Sequence, residues 1–307
     1  MAGINNKINS FFKLIVTKVI FNSPVRLTRS GWGKVMRNMI GSLFVVDVRK
    51  LLSEQTLEGK EFTKIVSAVR IGRAWRYTEQ SRHSEADEII QEVLTGDNKI
   101  ILDVGASDGQ ASVELINKLK NRLKIYYLTD ICFDVDIMVK KNKFYFFYPD
   151  SKKCFMVISN RFTFYRDPGS FLNPLKIFSM FALCQKYDEK KTRRINLLNP
   201  DIVKLSEDNN KIRIIEWDLF DKWEEHSPDL IKVANVLNRA YFKKKDIKKG
   251  LNNFMRILKE GGFLLLHDNK HESKWSLFEK KNSVLYLRKN RNGGSEIEKL
   301  VYESGDR

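Results

Sequence analysis

The sequence predicts an α/β protein. Its core is a doubly wound, mostly parallel seven-stranded sheet ending in an antiparallel hairpin, joined to a helical N-terminal region and an inserted subdomain. Three observations carry this reading. From residue 99 onward, short apolar runs alternate with helical stripes. The alternation breaks once, between Asp130 and Ile212, for about 80 residues, too many for one crossover helix. The first 50 residues hold nine Lys and Arg against a single acid, Asp47, which sets them apart from the rest.

In chain order, residues 1–80 form the basic helical region. Ile4, Ile8, Phe11, Phe12, Ile15 and Val19 recur at helical spacing, and Asn22-Ser23-Pro24 and Gly31-Trp32-Gly33 punctuate the stretch after them. Lys13 and Lys18 interrupt the apolar run, so it is no transmembrane span, and no small-x-small site comes after it to suggest a signal peptide. Two placements stay open: packing on the protein's own core, or lying in a membrane interface with its lysines toward anionic lipid. The second domain is 81–307. Ser84-x-x-Asp87 resembles a capping box opening a helix through Leu94. Lys99–Val104 reads as a buried parallel strand. Ser112, Ile116, Leu119 and Leu123 mark one side of a helix. Further strands are expected at Ile125–Thr129, Ile212–Ile215, Asp229–Leu237 and Phe263–His267. A helix bearing Ile247, Leu251, Phe254 and Leu258 stops at Gly261-Gly262. Ser283–Leu287 and Glu296–Val301, around Asn292-Gly293-Gly294, read as the closing hairpin.

The interruption, 131–210, holds 14 of the 35 aromatics in about a quarter of the length, enough for a small core of its own. Phe144–Tyr148 and Cys154–Ser159 read as a hairpin, Phe162 and Phe164 as a third strand, and Leu175–Cys184 as an apolar helix. Leaving the sheet at one edge, this insertion is placed to shape an acceptor site; a satellite hairpin and a lipid-facing surface remain the alternatives.

Composition narrows the classes. Hydrophobic residues at 42% and six prolines exclude a disordered or collagen-like chain. Cys132, Cys154 and Cys184 are odd in number and lack C-x-x-C spacing, which argues against a disulfide framework or a zinc site and for a reducing, cytoplasmic setting. The scattered His83, His226 and His271 imply no metal. A net charge of +17 admits nucleic acid, an anionic membrane or an acidic substrate, and selects none of them.

Ligands of open α/β sheets bind at the carboxyl ends of the strands, so the residues there carry the chemistry. After the first strand comes Asp103-Val-Gly105-Ala106-Ser107-Asp108-Gly109, a glycine turn opening a helix whose amides favour an anion. After the second stands Asp130, able to accept from a ribose diol, with Ile131 offering an apolar face. After the third stand Asp218 and Leu219, suited to an adenine edge. The fourth strand brings Ala234-Asn235-Val236, then Arg239 and Tyr241, and the fifth brings His267, Asp268 and Asn269.

In this order the residues resemble those of class I S-adenosylmethionine-dependent methyltransferases, over roughly 84–130 and 211–302. The resemblance implies S-adenosyl-L-methionine as cofactor. Asp103 and the Gly105–Gly109 turn would take its methionine side, Asp130 the ribose, Asp218 and Leu219 the adenine, and Asn235 the space below the sulfonium. The family's D-x-G-x-G-x-G carries Ser107 in place of its middle glycine. A narrower similarity to chemoreceptor glutamate methyltransferases rests on Asp229-Leu230-Ile231, Asn235-Val236-Leu237 and Tyr241-Phe242, but their expected arginine is Ala234 here.

The activity this implies is methyl transfer to a small-molecule, glycan or lipid-linked acceptor, with His267 as base by position and Tyr241 beside it. A nucleic-acid methyltransferase is the rival motivated by charge; the N/D-P-P-Y/F motif such enzymes often carry is missing from the sequence. A catalytically inactive binding module is the rival of another class. A nicotinamide-dependent oxidoreductase would want G-x-G-x-x-G. Peripheral contact of residues 1–50 with the inner face of the membrane is compatible with all of these.

Overall fold

The computed structural model describes residues 24–39, 44–52, 57–72, 74–76, 83–166, 179, 181–183, 185–269 and 272–304. The N-terminal helix expected over Ile4–Val19, most of the helix expected at Leu175–Cys184, and His271 lie outside them. The chain divides into two compact units, one drawn from 1–57, 64–76 and 134–196, the other from 58–63, 77–133 and 197–307.

The second unit is the doubly wound sheet. Its strands are β1 (Lys99–Val104), β2 (Leu123–Asp130), β3 (Ile212–Glu216), β4 (Leu230–Ala234), β5 (Phe263–Asn269), β6 (Ser273–Lys281) and β7 (Val284–Arg291). They lie in the order β3-β2-β1-β4-β5-β6-β7. The first five are parallel; β6 runs antiparallel to both neighbours. Strand order reverses between β1 and β4, so the crevice at their carboxyl ends is where such a sheet takes ligands.

β1 is buried on both faces because helices cover both. Ser84–Val93 (α1), Gln110–Leu119 (α2) and Pro200–Asp208 (α3) accompany one core, with Ile89, Ile90, Leu115, Ile116 and Ile202 against Ile101, Tyr126 and Leu128. Lys244–Ile257 (α4) and Glu298–Tyr302 (α5) accompany the other, with Ile247, Leu251 and Phe254 against Leu102, Val104 and Val233. Asn199 caps α3, its side chain accepting from Asp201 N at 2.9 Å, with Pro200 in the first turn.

Four local expectations are corrected. The closing hairpin is Ser273–Lys281 with Val284–Arg291, and Glu296–Val301 is largely helical. Its two-residue turn is Asn282-Ser283, both left-handed (φ 51° and 62°), as a tight hairpin requires. Asn292, Gly293 and Gly294, all at positive φ, lead the chain out of β7 instead. Leu123 opens β2 rather than closing α2, because the helix stops at Leu119 and Arg122 turns to the carbonyls of Gln91 and Leu94. No capping box forms at Ser84: residue 83 is the cap, and the Asp87 carboxylate accepts from Lys232 Nζ instead.

The first unit is a second seven-stranded sheet. Its order is Thr192–Asn196, Asp134–Lys140, Lys143–Phe147, Cys154–Ile158, Phe162–Tyr165, Val25–Thr28 and Phe44–Val45, antiparallel throughout except for the last, parallel pair. The strands expected from Phe144 to Phe164 are present. The first and second strands, together with Val25–Thr28 and Phe44–Val45 from the region expected to be helical, were not expected. Met138, Tyr145, Phe147, Val157 and Phe164 form one core. Asp136 is buried at 2% exposure and ringed by Tyr187 OH at 3.0 Å, Arg194 Nε at 3.0 Å and Lys152 Nζ at 3.3 Å. Burial alone would push its carboxyl up, but these donors, led by Arg194, hold it below the usual range.

Among the described residues no helix is long and apolar enough to cross a membrane.

Candidate functional site: the crevice at the ends of β1 and β4

The turn after β1 is built on three left-handed residues, Gly105 (φ 69°), Ser107 (φ 62°) and Gly109 (φ 81°). A Cβ at 105 would overlap Val236 Cγ2 and stand 3.1 Å from Val236 Cβ and Cγ1, so that position requires glycine on two counts. Ser107 is a non-glycine residue held in the left-handed state. Its amide donates to Asp130 Oδ2 at 2.8 Å, while Ile131 N donates to Asp130 Oδ1 at 2.8 Å. The turn after β1 and the acid ending β2 are thus one hydrogen-bonded unit.

Asp103, Gly105, Ala106, Ser107 and Asn235 line a single cavity of about 40 Å³. Asp103 is 3% exposed, and its Oδ2 accepts from Tyr126 OH at 2.6 Å and Ser112 Oγ at 2.7 Å. Burial, then the Asp103 charge, pushes the Tyr126 hydroxyl well above its usual value, so it stays protonated and donates. Asn235 has φ 59°, and its Oδ1 accepts from Asn269 N at 2.7 Å. Its Nδ2 is buried and has no hydrogen-bond partner among the described residues.

The other expected residues lie outside this cavity lining. Asp108 is fully buried in the turn, its carboxylate accepting from Thr63 Oγ1 at 2.6 Å and Gln110 N at 3.1 Å. Asp218 closes an Asx turn on Phe220 N, and the Leu219 side chain packs in the core against Gly250. Ile131 is 58% exposed, an apolar face beside Asp130. Tyr241 is half-buried in the turn held by Asn238 Oδ1.

His267 is 1% exposed and does not reach the cavity. Its Nδ1 lies 3.0 Å from His83 Nδ1 and its Nε2 lies 3.1 Å from Ser273 Oγ. His83, at the start of α1, is the imidazole that lines the cavity. It is therefore not a scattered histidine, though nothing local in the sequence announces a partner 184 residues away.

Lys232 was also missed. It sits in the middle of β4, registered directly against Asp103 of β1, and is 1% exposed. Its Nζ donates to Asp87 Oδ1 at 2.8 Å and lies 4.0 Å from Asp103 Oδ2. Burial would lower the ammonium's pKa, but Asp103 and Asp87 outweigh it and hold it above the usual value. The available signal was a lysine inside an otherwise apolar strand, which demands a buried partner. Among the described residues, no group of three or more His, Cys, Asp or Glu stands together as a metal site.

No protein-family model and no curated protein sequence matches the chain. Solved structures do resemble it. The N-methyltransferase NodS from Bradyrhizobium japonicum WM9, in complex with S-adenosyl-L-homocysteine, is 13% identical over 69% of this chain and 73% of that one, with a TM-score of 0.35. An S-adenosylmethionine-dependent methyltransferase from Clostridium acetobutylicum ATCC 824 is 13% identical over 74% and 80%, with a TM-score of 0.36. The [4+2]-cyclase SpnF is 12% identical over 80% and 63%, also at 0.36. At such identities and scores, the functional reading falls to the chain's own residues.

Proposed function

We propose that the chain is an S-adenosylmethionine-dependent methyltransferase acting on a small-molecule, glycan or lipid-linked acceptor. The observation that carries the reading is the bond from Ser107 N to Asp130 Oδ2. It couples the glycine turn after β1 to the acid ending β2, beside a cavity holding Asn235 Nδ2, a buried donor with no partner among the described residues. An unsatisfied buried donor costs stability unless a ligand meets it, so these residues fit a polar cofactor.

When bound there, S-adenosylmethionine would supply an activated sulfonium methyl. The chain's task is then mainly alignment and exclusion of water. Asp103, Gly105, Ala106, Ser107 and Asn235 would hold the methionine side, Asp130 the ribose hydroxyls with Ile131 against the base, and Asp218 with the Leu219 backbone the adenine. Asp108 and Gly109 would support the turn. Should the acceptor be a poorly acidic hydroxyl or a protonated amine, His83 would take its proton, oriented by His267, with Tyr241 on the acceptor side. Peripheral contact of residues 1–50 with an anionic membrane belongs to the same proposal; Val35, 73% exposed between Lys34 and Met36, supports it.

Calorimetric titration with S-adenosylmethionine and S-adenosylhomocysteine, on the wild-type chain and Asp130→Ala, tests the reading. Micromolar binding weakened at least about tenfold by the substitution is expected, since a charged hydrogen-bond acceptor is lost. Folded protein that binds neither compound at millimolar concentration would refute it.

A further inference from the structure

We infer that the surface carrying Trp32, Val35, Met36 and Phe162 docks the antiparallel unit on an anionic lipid bilayer; the inference rests on the membrane-contact reading above and not on the cofactor reading. Two segments far apart in sequence build this surface. Leu27 pairs with Phe162 across the strands Val25–Thr28 and Phe162–Tyr165, so the turns that adjoin these strands lie against each other. The Arg161 carbonyl accepts from Thr28 N at 3.0 Å and from Trp32 Nε1 at 2.9 Å. A Cβ at Gly31 would overlap the Asn160 carbonyl, and Arg49 donates to Asn160 Oδ1 at 2.6 Å. The Trp32 ring meets Phe44 and Phe162 edge-on, at centroid distances of 6.4 and 6.0 Å. The surface is therefore fixed before it meets a partner, and docking costs little ordering entropy.

Its chemistry is that of a bilayer interface. The short helix Lys34–Met39 follows Trp32 and leaves Val35 73% and Met36 39% exposed, while Phe162 is 38% exposed. Exposed apolar side chains so grouped mark an interaction site. Basic residues accompany them: Arg29, Lys34 and Arg161 are exposed, and Arg37 is half-buried. Across 24–39, 44–52 and 159–166, eight Lys and Arg stand against one acid, Asp47. Arg49 already bonds that carboxylate, at 2.8 Å from Nε and 2.7 Å from a terminal nitrogen, so the surface these segments build is cationic. Apolar side chains among cations suit acyl chains and anionic headgroups together. A free phosphate would engage the cations and leave the apolar side chains idle. Nucleic acid fits less well, because bases stack on open aromatic faces; Arg161 stands over the Trp32 ring at 5.8 Å, and Val35 and Met36 are aliphatic.

The test is co-sedimentation of the full chain with phosphatidylcholine vesicles made with and without phosphatidylserine. The wild type should bind the phosphatidylserine vesicles, and binding should fall as salt rises. Val35→Ser/Met36→Ser should weaken it about tenfold or more by removing apolar contact. Arg29→Gln/Lys34→Gln should weaken it roughly 10- to 30-fold, each basic residue being worth about fivefold. All four side chains are exposed, so both variants should fold, which circular dichroism checks. Full binding by either variant would overturn the inference and leave membrane contact to other residues. Loss of vesicle binding to inorganic phosphate at matched ionic strength would also overturn it, as would tighter binding to duplex DNA that the same variants weaken. No binding of the wild type to phosphatidylserine vesicles would overturn the membrane-contact reading and this inference together, whatever the cofactor titration gives.

Discussion

Gly105 is where fold and candidate site constrain the chain most sharply, and Gly105→Ala turns that into a number. Two penalties act. The backbone at 105 is left-handed, φ 69°, which costs an L residue about 1–2 kcal/mol. The new methyl overlaps Val236 Cγ2, a branched side chain with little freedom to move, and overpacking of this kind costs about 1–3 kcal/mol. Alanine's smaller unfolded-state entropy returns about 0.4–1 kcal/mol. The net expectation is a loss of about 1–4.5 kcal/mol. The two causes separate in a cycle with Val236→Ala, which removes both atoms of the branch. Alone, that change costs about 1–2 kcal/mol by opening space at a half-buried position. In combination with Gly105→Ala the overlap disappears while the backbone strain stays, so the double variant should be more stable than the sum of the singles by about 1–3 kcal/mol. Urea unfolding followed by far-ultraviolet circular dichroism measures all four corners. Additivity within about 0.5 kcal/mol would show that Val236 does not press on the turn, and the close-packing argument for the glycine would fail.

Two further outcomes concern buried charges. Lys232→Met should destabilise the chain by about 3–5 kcal/mol, because Asp87 and Asp103 are left buried without a cation, whereas adding Asp87→Asn should recover most of the loss; urea midpoints of the single and double variants decide it. In the antiparallel sheet, the Asp136 carboxyl is held below its usual value, while an unfolded aspartate titrates near pH 4. Its contribution is therefore complete above about pH 4 and is lost as the pH falls from there toward the folded-state value, so wild-type unfolding midpoints should decline more steeply below pH 4 than those of Asp136→Asn. Parallel curves would remove Asp136 from acid sensitivity.

How much the sequence revealed depended on burial. Strands β1, β2, β4 and β5 were legible because parallel strands covered on both faces must be continuous apolar runs, as in Ile100-Ile101-Leu102 and Leu264-Leu265-Leu266. The strand Thr192–Asn196 was not legible: its residues, TRRIN, lie mostly exposed at a sheet edge and carry no apolar alternation. β7 was displaced for a related reason. Most of Val284–Arg291 faces solvent, so its pattern is weak, and the conspicuous Asn292-Gly293-Gly294 drew the turn away from Asn282-Ser283. The turn after β1 could be read because glycines mark backbone conformation locally. The partners of that turn could not. Thr63 on Asp108, Asp87 on Lys232 and His83 on His267 are contacts over 45, 145 and 184 residues, which only the folded chain brings together.

The placement of Lys232 also bears on why the centre of the sheet is not simply apolar. Lys232 and Asp103 are register partners on adjacent parallel strands, and Asp87 of α1 reaches the same face. Replacing such a buried triad by packed hydrophobic residues is commonly neutral or stabilising. Stability alone therefore gives no reason for charges at this depth. The burial of Asp87 argues further in this direction: desolvation raises its pKa despite the lysine, so the pair is held against a cost. Of the three, Asp103 and Lys232 line the cavity at the carboxyl ends of β1 and β4, so the buried charges and the proposed cofactor site share one wall.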